Sequence, residues 1–346
     1  MISIKTFNYK LIENIAKAFR YLKRKKSKIF TIIWKILVYL LLISMSYVFI
    51  YPFFKMLSLS FMSMADIVDP EVVWIPKNFT FRNYKISADV MKLFGYTGTD
   101  PVTGKKAFIQ GPLFNSFTYS TVLAVSQTLV SALTGYAFAK YNFKGKKLWF
   151  VIILISFIIP APILLVSRKE IITLINETFK LKLYGTYVPQ IVFAIFGQGV
   201  NSAILILIFF NFFKMIPNDL YESGKIDGAN SLQLFWHITI KLSLTSIVVV
   251  FLFSFVWNWN ETYVTGFLVQ NIKLMPKQLS LFDETFNNSF GGSTSTEHGQ
   301  SGAGTKLSEA YKMAATIISI LPLMIIYFFG QKTFVEGIEK TGITGE

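Results

Sequence analysis

Six apolar and nearly uncharged runs constrain this chain more than any other feature: Ile29–Ile50, Leu113–Phe138, Leu148–Val166, Val188–Phe213, Ser243–Phe267 and Ala310–Phe329. A helix rises 1.5 Å per residue, so about 20 residues cross the roughly 30 Å of hydrocarbon in a bilayer. Only 15% of residues are charged and 53% are hydrophobic, where a soluble domain carries about 25% charged residues. The expected fold is therefore all-α: a polytopic membrane protein with six transmembrane helices.

The charges between the runs set the expected topology. Residues 1–28 hold nine Lys or Arg against the single acid Glu13, which marks a cytoplasmic N-terminus. The first run is too long for a signal-peptide core and no small-residue cleavage site follows it, so it is read as an uncleaved span. Lys35 lies near its inner end, within snorkelling reach of the headgroups. The loop Lys140–Lys147 has four Lys and no acid and falls inside, as the first span requires. Residues 29–329 then form the six-span domain. Its outer loops are 60–112 and 269–307, its main cytoplasmic loop is 214–241, and the tail 330–346 ends inside. The Gly-, Ser- and Thr-rich patch 291–304 is expected to be flexible. The formal net charge of +15 follows from this topology and does not point to nucleic acid.

Several chemistries are excluded. With no Cys there is no disulfide, thiol nucleophile or thiolate metal site, and the two histidines, His237 and His298, lie far apart. No metal site and no catalytic residue is expected. No glycine-rich phosphate loop ending in Lys-Ser/Thr is present, so the chain holds no ATP site of the usual kind.

Small and polar residues on the second run (Ser120, Ser126, Thr128, Ser131, Ala132, Gly135 and Ala139) suit close helix packing in lipid. Gln198 and Asn201 on the fourth are either cavity-facing or interhelical hydrogen-bonding groups. Pro160 and Pro162 mark a kink or a helix end in the third.

The polar stretch between runs four and five is the most informative. Pro217 and Asn218 open a short helix, Asn218–Ile226, with Asp219 and Glu222 in its first turn. Gly228 supplies the positive φ of a helix stop, and Asn230-Ser231 caps a second helix. Its residues Glu222-Ser223-Gly224, then three residues, Gly228, nine residues and Ile238-Thr239-Ile240 resemble the EAA loop of binding-protein-dependent ABC importer permeases, whose pattern is Glu-Ala-Ala, three residues, Gly, nine residues, Ile-x-Leu-Pro. Ile226–Asn230 with Phe235-Trp236 resembles the carbohydrate-uptake subfamily. Asn78–Tyr84 (NFTFRNY), Gly135–Lys140 with Phe143–Lys147, Ile216-Pro217, Trp257–Glu261 and Phe334–Ile338 extend the likeness over nearly the whole chain. It is similar to the second, G-type membrane subunit of the maltose importer. Ser223-Gly224 stands where the family has Ala-Ala, and Lys241 and Thr245 where it has prolines.

That resemblance implies a MetI-like bundle in the bacterial plasma membrane that imports a sugar, by its long outer loops an oligosaccharide. The implied partners are a second permease subunit, two cytoplasmic ATPase subunits that bind the ATP and Mg, and an extracytoplasmic sugar-binding protein. Glu222, Ser223, Gly224, Asp227, Gly228 and Ala229 would dock the ATPase, whose closure rocks the bundle as a rigid body. For Trp257, Asn258, Trp259, Asn260 and Glu261 two readings stand: an interfacial aromatic belt, or a sugar path in which ring faces cover the sugar and the polar groups bind its hydroxyls. An importer permease for a non-sugar solute and an ion-driven secondary carrier are the alternative functions.

Overall fold

The computed structural model describes the backbone of residues 3–99, 104–294 and 301–340, and the side chains of residues 30–99, 104–289 apart from 161, and 308–335. Two compact units divide the chain at Leu59/Ser60. The first is a helix, α1 (Ser3–Phe61), which contains the expected first span and carries Pro52 without interruption. Every described side chain from Phe30 to Lys55 is exposed. A helix apolar on all sides needs lipid or another protein around it.

The second unit begins with a polar knot built from the NFTFRNY motif. Ser63 caps α2 (Met64–Val68) by accepting the Asp66 N–H at 3.2 Å. The buried Asp66 carboxylate accepts the Asn78 backbone and side-chain N–H groups at 2.8 and 3.0 Å. On α3 (Arg82–Met91), Asn83 donates to the Ser60 and Met62 carbonyls, and Ser87 donates to the Tyr311 carbonyl at 2.6 Å. These bonds thus lock the segment between α1 and α3 together. The same loop carries a short antiparallel hairpin, β1 (Gly95–Thr99) and β2 (Lys106–Gln110).

Helix α4 (Pro112–Lys140) realises the second span and runs against α8 (Ser202–Met215) and α12 (Leu244–Asn260). The small residues expected at its interface are mostly buried: Ser120, Thr128, Ser131, Ala132 and Gly135. At Gly135 a Cβ would fall 2.7 Å from the Phe209 Cβ and 3.0 Å from the Phe210 N, so the two backbones touch where the side chain is missing.

Spans three, four and five are not the continuous helices expected. Span three stops at the end of α5 (Lys146–Ile158), and at Pro160 the chain swings through 105° into α6 (Ala161–Phe179). The proline marks a helix end because it denies the preceding turn an amide donor. Span four is split into α7 (Val188–Ile195) and α8 by residues 196–201, where Gly197 and Asn201 have positive φ. Span five ends at Asn260, after which α13 (Tyr263–Leu268) starts afresh. On its inner side, α10 (Ser231–Leu234), a π-helical turn (Phe235–Thr239) and α11 (Ile240–Leu242) meet α12 at an 82° bend on Ser243. That bend forms between Lys241 and Thr245 without a proline.

Helices α14 (Met275–Ser280) and α15 (Phe282–Thr294) follow, then α16 (Ser301–Lys340), which continues through Pro322. The patch 291–304 is thus helical at both edges, contrary to expectation, and residues 295–300 of it lie outside the described residues, as do 341–346 of the tail. Among the described residues, three helices are long and apolar enough to cross a membrane, and up to six if each of three bent pairs is one span; two of those pairs, Ser202–Met215 with Asp219–Ile226 and Ser231–Leu242 with Leu244–Asn260, do not coincide with the expected fourth and fifth runs.

Candidate functional site

Two places gather the residues of interest. The first is the elbow after α8. Ile216-Pro217-Asn218 turns the chain by 75° into α9 (Asp219–Ile226). Residues one helical turn apart share a face. Tyr221 and Gly224 point inward: Tyr221 is buried, its hydroxyl lies 2.9 Å from the Thr239 hydroxyl, and the Lys140 ammonium sits 4.5 Å over its ring. Lys140 also donates to the Ile216 carbonyl at 2.6 Å and to the Asn218 side chain at 3.0 Å, clamping the elbow to the end of α4. A Cβ on Gly224 would come within 2.6 Å of the Leu234 Cδ2, the movable tip of that side chain.

Glu222 and Ile226 face outward, and Ile226 is 86% exposed. Glu222 takes no side-chain hydrogen bond among the described residues, so it is not the cap of its helix. Ser223 and Asp227 are exposed as well, and Ser223 donates to the Leu220 carbonyl. Gly228 adopts φ +82° as expected, and Ala229 packs against the core beneath. Asn230 caps α10 with a reciprocal partner the sequence reading missed: it accepts the Gln233 N–H at 2.9 Å while Gln233 accepts the Asn230 N–H at 2.8 Å. Asn230→Ala is expected to cost about 1 kcal/mol of thermal stability, with Asn230→Ser restoring most of it. Equal melting of Ala variant and parent would show that the box contributes nothing.

The second place lies deeper. Gln127 on α4 accepts hydrogen bonds from Ser254 and, at 2.9 Å, from Asn258, both on α12, and donates to the Val200 carbonyl at 3.3 Å. All three side chains are buried. They hold the broken stretch 196–201 against α4. Beside it opens a cavity of about 250 Å³ lined by Ser156, Arg168, Gln198, Asn201, Ser202 and Glu261, among others.

Of the expected path residues, the structure brings Gln198, Asn201 and Glu261 together here. It takes Trp257, Asn258 and Trp259 elsewhere. Trp257 stacks on Phe253 and Trp259 on Phe255, the latter 2% exposed within the core. Asn260 is exposed and outside the cavity lining. Glu261 caps α13: its Oε1 accepts the Tyr263 and Val264 N–H groups at 2.9 and 2.7 Å, and its Oε2 the Thr265 N–H at 2.8 Å. Arg168 was missed because a charge straight after an apolar run reads as loop; it stands on α6, beyond the turn at Pro160.

Residues 127–340, from Gln127 through both places, match the family described as binding-protein-dependent transport system inner membrane component. The chain belongs to that family. Among the permease's relatives, the sn-glycerol-3-phosphate transport system permease protein UgpE of Yersinia enterocolitica is 27% identical over 226 residues, covering 65% of this chain and 71% of that one. The polygalacturonan/rhamnogalacturonan transport system permease protein YtcP of Bacillus subtilis is 24% identical over 324 residues, 90% of this chain and 99% of that one. A solved bacterial ABC transporter involved in import of the acidic polysaccharide alginate superposes with a TM-score of 0.63 at 20% identity, over 87% of the permease and 96% of that chain. The expected MetI-like bundle is thereby the fold of this permease, and the Gly228 turn and the inner and outer faces of α9 lie inside the matched region.

Proposed function

We propose that this permease is one membrane subunit of an ATP-driven importer for a sugar, an oligosaccharide by preference, handed over by an extracytoplasmic binding protein. In this reading it pairs with a second permease in the bacterial plasma membrane, with residues 1–28, the loop 214–241 and the tail 330–346 on the cytoplasmic side. It binds no nucleotide, metal or nucleic acid itself; ATP and Mg belong to two cytoplasmic ATPase subunits. The relatives named for sn-glycerol-3-phosphate and for polygalacturonan/rhamnogalacturonan support a polyol or carbohydrate solute.

The observation that carries this reading is the outer face of α9. A charged group with no partner among the described residues and an almost fully exposed isoleucine stand side by side on a helix that is clamped from behind by Lys140 and Tyr221. Such a helix is a rigid handle for another protein: Glu222 supplies charge-assisted bonds, Ile226 the apolar contact, and Gly228 an open turn with nothing within 4 Å of an added Cβ.

The test is the assembled importer in proteoliposomes. Replacing Glu222 by Arg together with Gly228 by Val should reduce ATP-dependent sugar uptake more than tenfold while the two permeases still co-purify, because reversing one contact charge costs several kcal/mol. Uptake that persists in the double variant, or that follows a proton or sodium gradient without ATP, would identify an ion-driven carrier instead.

A further inference from the structure

We infer that the cavity beside the broken span is a binding subsite for an oxyanion of the transported solute, a sugar carboxylate or phosphate, with Arg168 as its charge partner. This rests on the importer reading above and adds the charge of the cargo to it. Two observations converge. Arg168 is half-buried on α6, and among the described residues no carboxylate lies within 4 Å of it. Its Nη2 donates to the Gln198 carbonyl at 2.9 Å and its guanidinium lies 4.9 Å over the Phe193 ring. One of five donors is thus used, and the fork is held in a fixed pose.

Next, α8 starts in the cavity wall without a cap. Asn201 at its N-cap sits at φ 53° with no side-chain bond to the first turn, and that turn contains no acid. The end of a 14-residue helix therefore presents its partial positive charge to the same space.

Glu261 shares the cavity and would repel an anion, but its two oxygens already accept three backbone N–H groups of α13. Those bonds offset much of its charge, although it still attracts Arg168 across the cavity. The volume, about 250 Å³, lies just under the roughly 300 Å³ at which ligand pockets begin and suits one sugar unit of a longer chain. The broken stretch 197–201 forms the wall because Gln127 holds it, which gives the buried cluster on α4 and α12 a positioning role.

The experiment titrates the assembled importer, in nanodiscs of phosphatidylcholine, with galacturonate and with galactose. Galacturonate should bind at least about tenfold tighter, since hydrogen bonds to a charged group are worth roughly 1.5–3 kcal/mol. Arg168→Gln should erase that difference, and Arg168→Lys should keep part of it. Equal affinities in the parent overturn the inference and leave sugar import standing; this comparison needs no variant to fold. A preference that survives Arg168→Gln also overturns it. In discs containing phosphatidylglycerol the preference should persist; its loss there, restored by removing the anionic lipid, would assign the site to a headgroup. Binding of neither sugar would overturn the inference and the importer reading together.

Discussion

Gly135→Leu is expected to separate α4 from α8 and to leave little folded permease in the membrane. The atoms a new side chain would meet are mostly backbone or backbone-attached: the Phe209 Cβ at 2.7 Å, the Phe210 N at 3.0 Å and the Ile206 O at 3.2 Å. None can rotate away, so the helices themselves must part. In lipid no hydrophobic force holds two helices together; close packing does. An added methyl, as in Gly135→Ala, should cost about 1–3 kcal/mol, and the three further carbons of leucine more. Thermal unfolding of the detergent-extracted complex reads both. A leucine variant that melts with the parent would show that this contact does not hold the bundle.

The second large effect is expected at Tyr221. Its ring belongs to the inner core cluster with Tyr136, Phe213 and Phe235, and it bears the Lys140 ammonium. Tyr221→Ala removes an aromatic that would cost about 3–5 kcal/mol in a packed core, and it loosens the handle from the span it turns. Uptake should fall by more than tenfold with ATP hydrolysis no longer stimulated by sugar, while the ATPase subunits still bind the exposed face. Tyr221→Phe keeps the ring and loses only the bond to Thr239, about 1 kcal/mol, so most uptake should remain. Uptake in the alanine variant within twofold of the parent would refute the idea that the elbow transmits force through this ring.

Much of the architecture was readable before any coordinates. The number of spans followed from apolar length alone, and the elbow from Asn218, Gly228 and Asn230, whose local chemistry acts over three or four residues. Gly228 is the clearest case: the turn needs positive φ and the residue provides it. What escaped was non-local. Lys140 looked like one more topogenic lysine, yet it clamps a carbonyl 76 positions away. Gln127 and Asn258 lie 131 residues apart and are linked only by the packing of α4 on α12. Trp259 is rich in aromatic surface and sits beside polar residues, which on composition suits a sugar platform, but it faces the core. Arg168 falls two residues past the third apolar run and so read as loop, yet it stands on α6. A sequence records which groups exist; which of them meet across a bundle depends on how helices rotate about their axes, and periodicity is weak in segments apolar on nearly every side.

The interrupted spans have one more consequence. At 1.5 Å per residue the helices α5, α8 and α12, of 13, 14 and 17 residues, reach only about 20, 21 and 26 Å, short of the roughly 30 Å oil layer. Irregular backbone at such depth is tolerated only where protein or water covers it. The insulation that keeps ions from leaking through this subunit is therefore supplied by interlocked side chains such as Gln127, Phe209 and Trp259 and not by the thickness of the hydrocarbon, so a void opened among them would be felt first as a loss of membrane resistance.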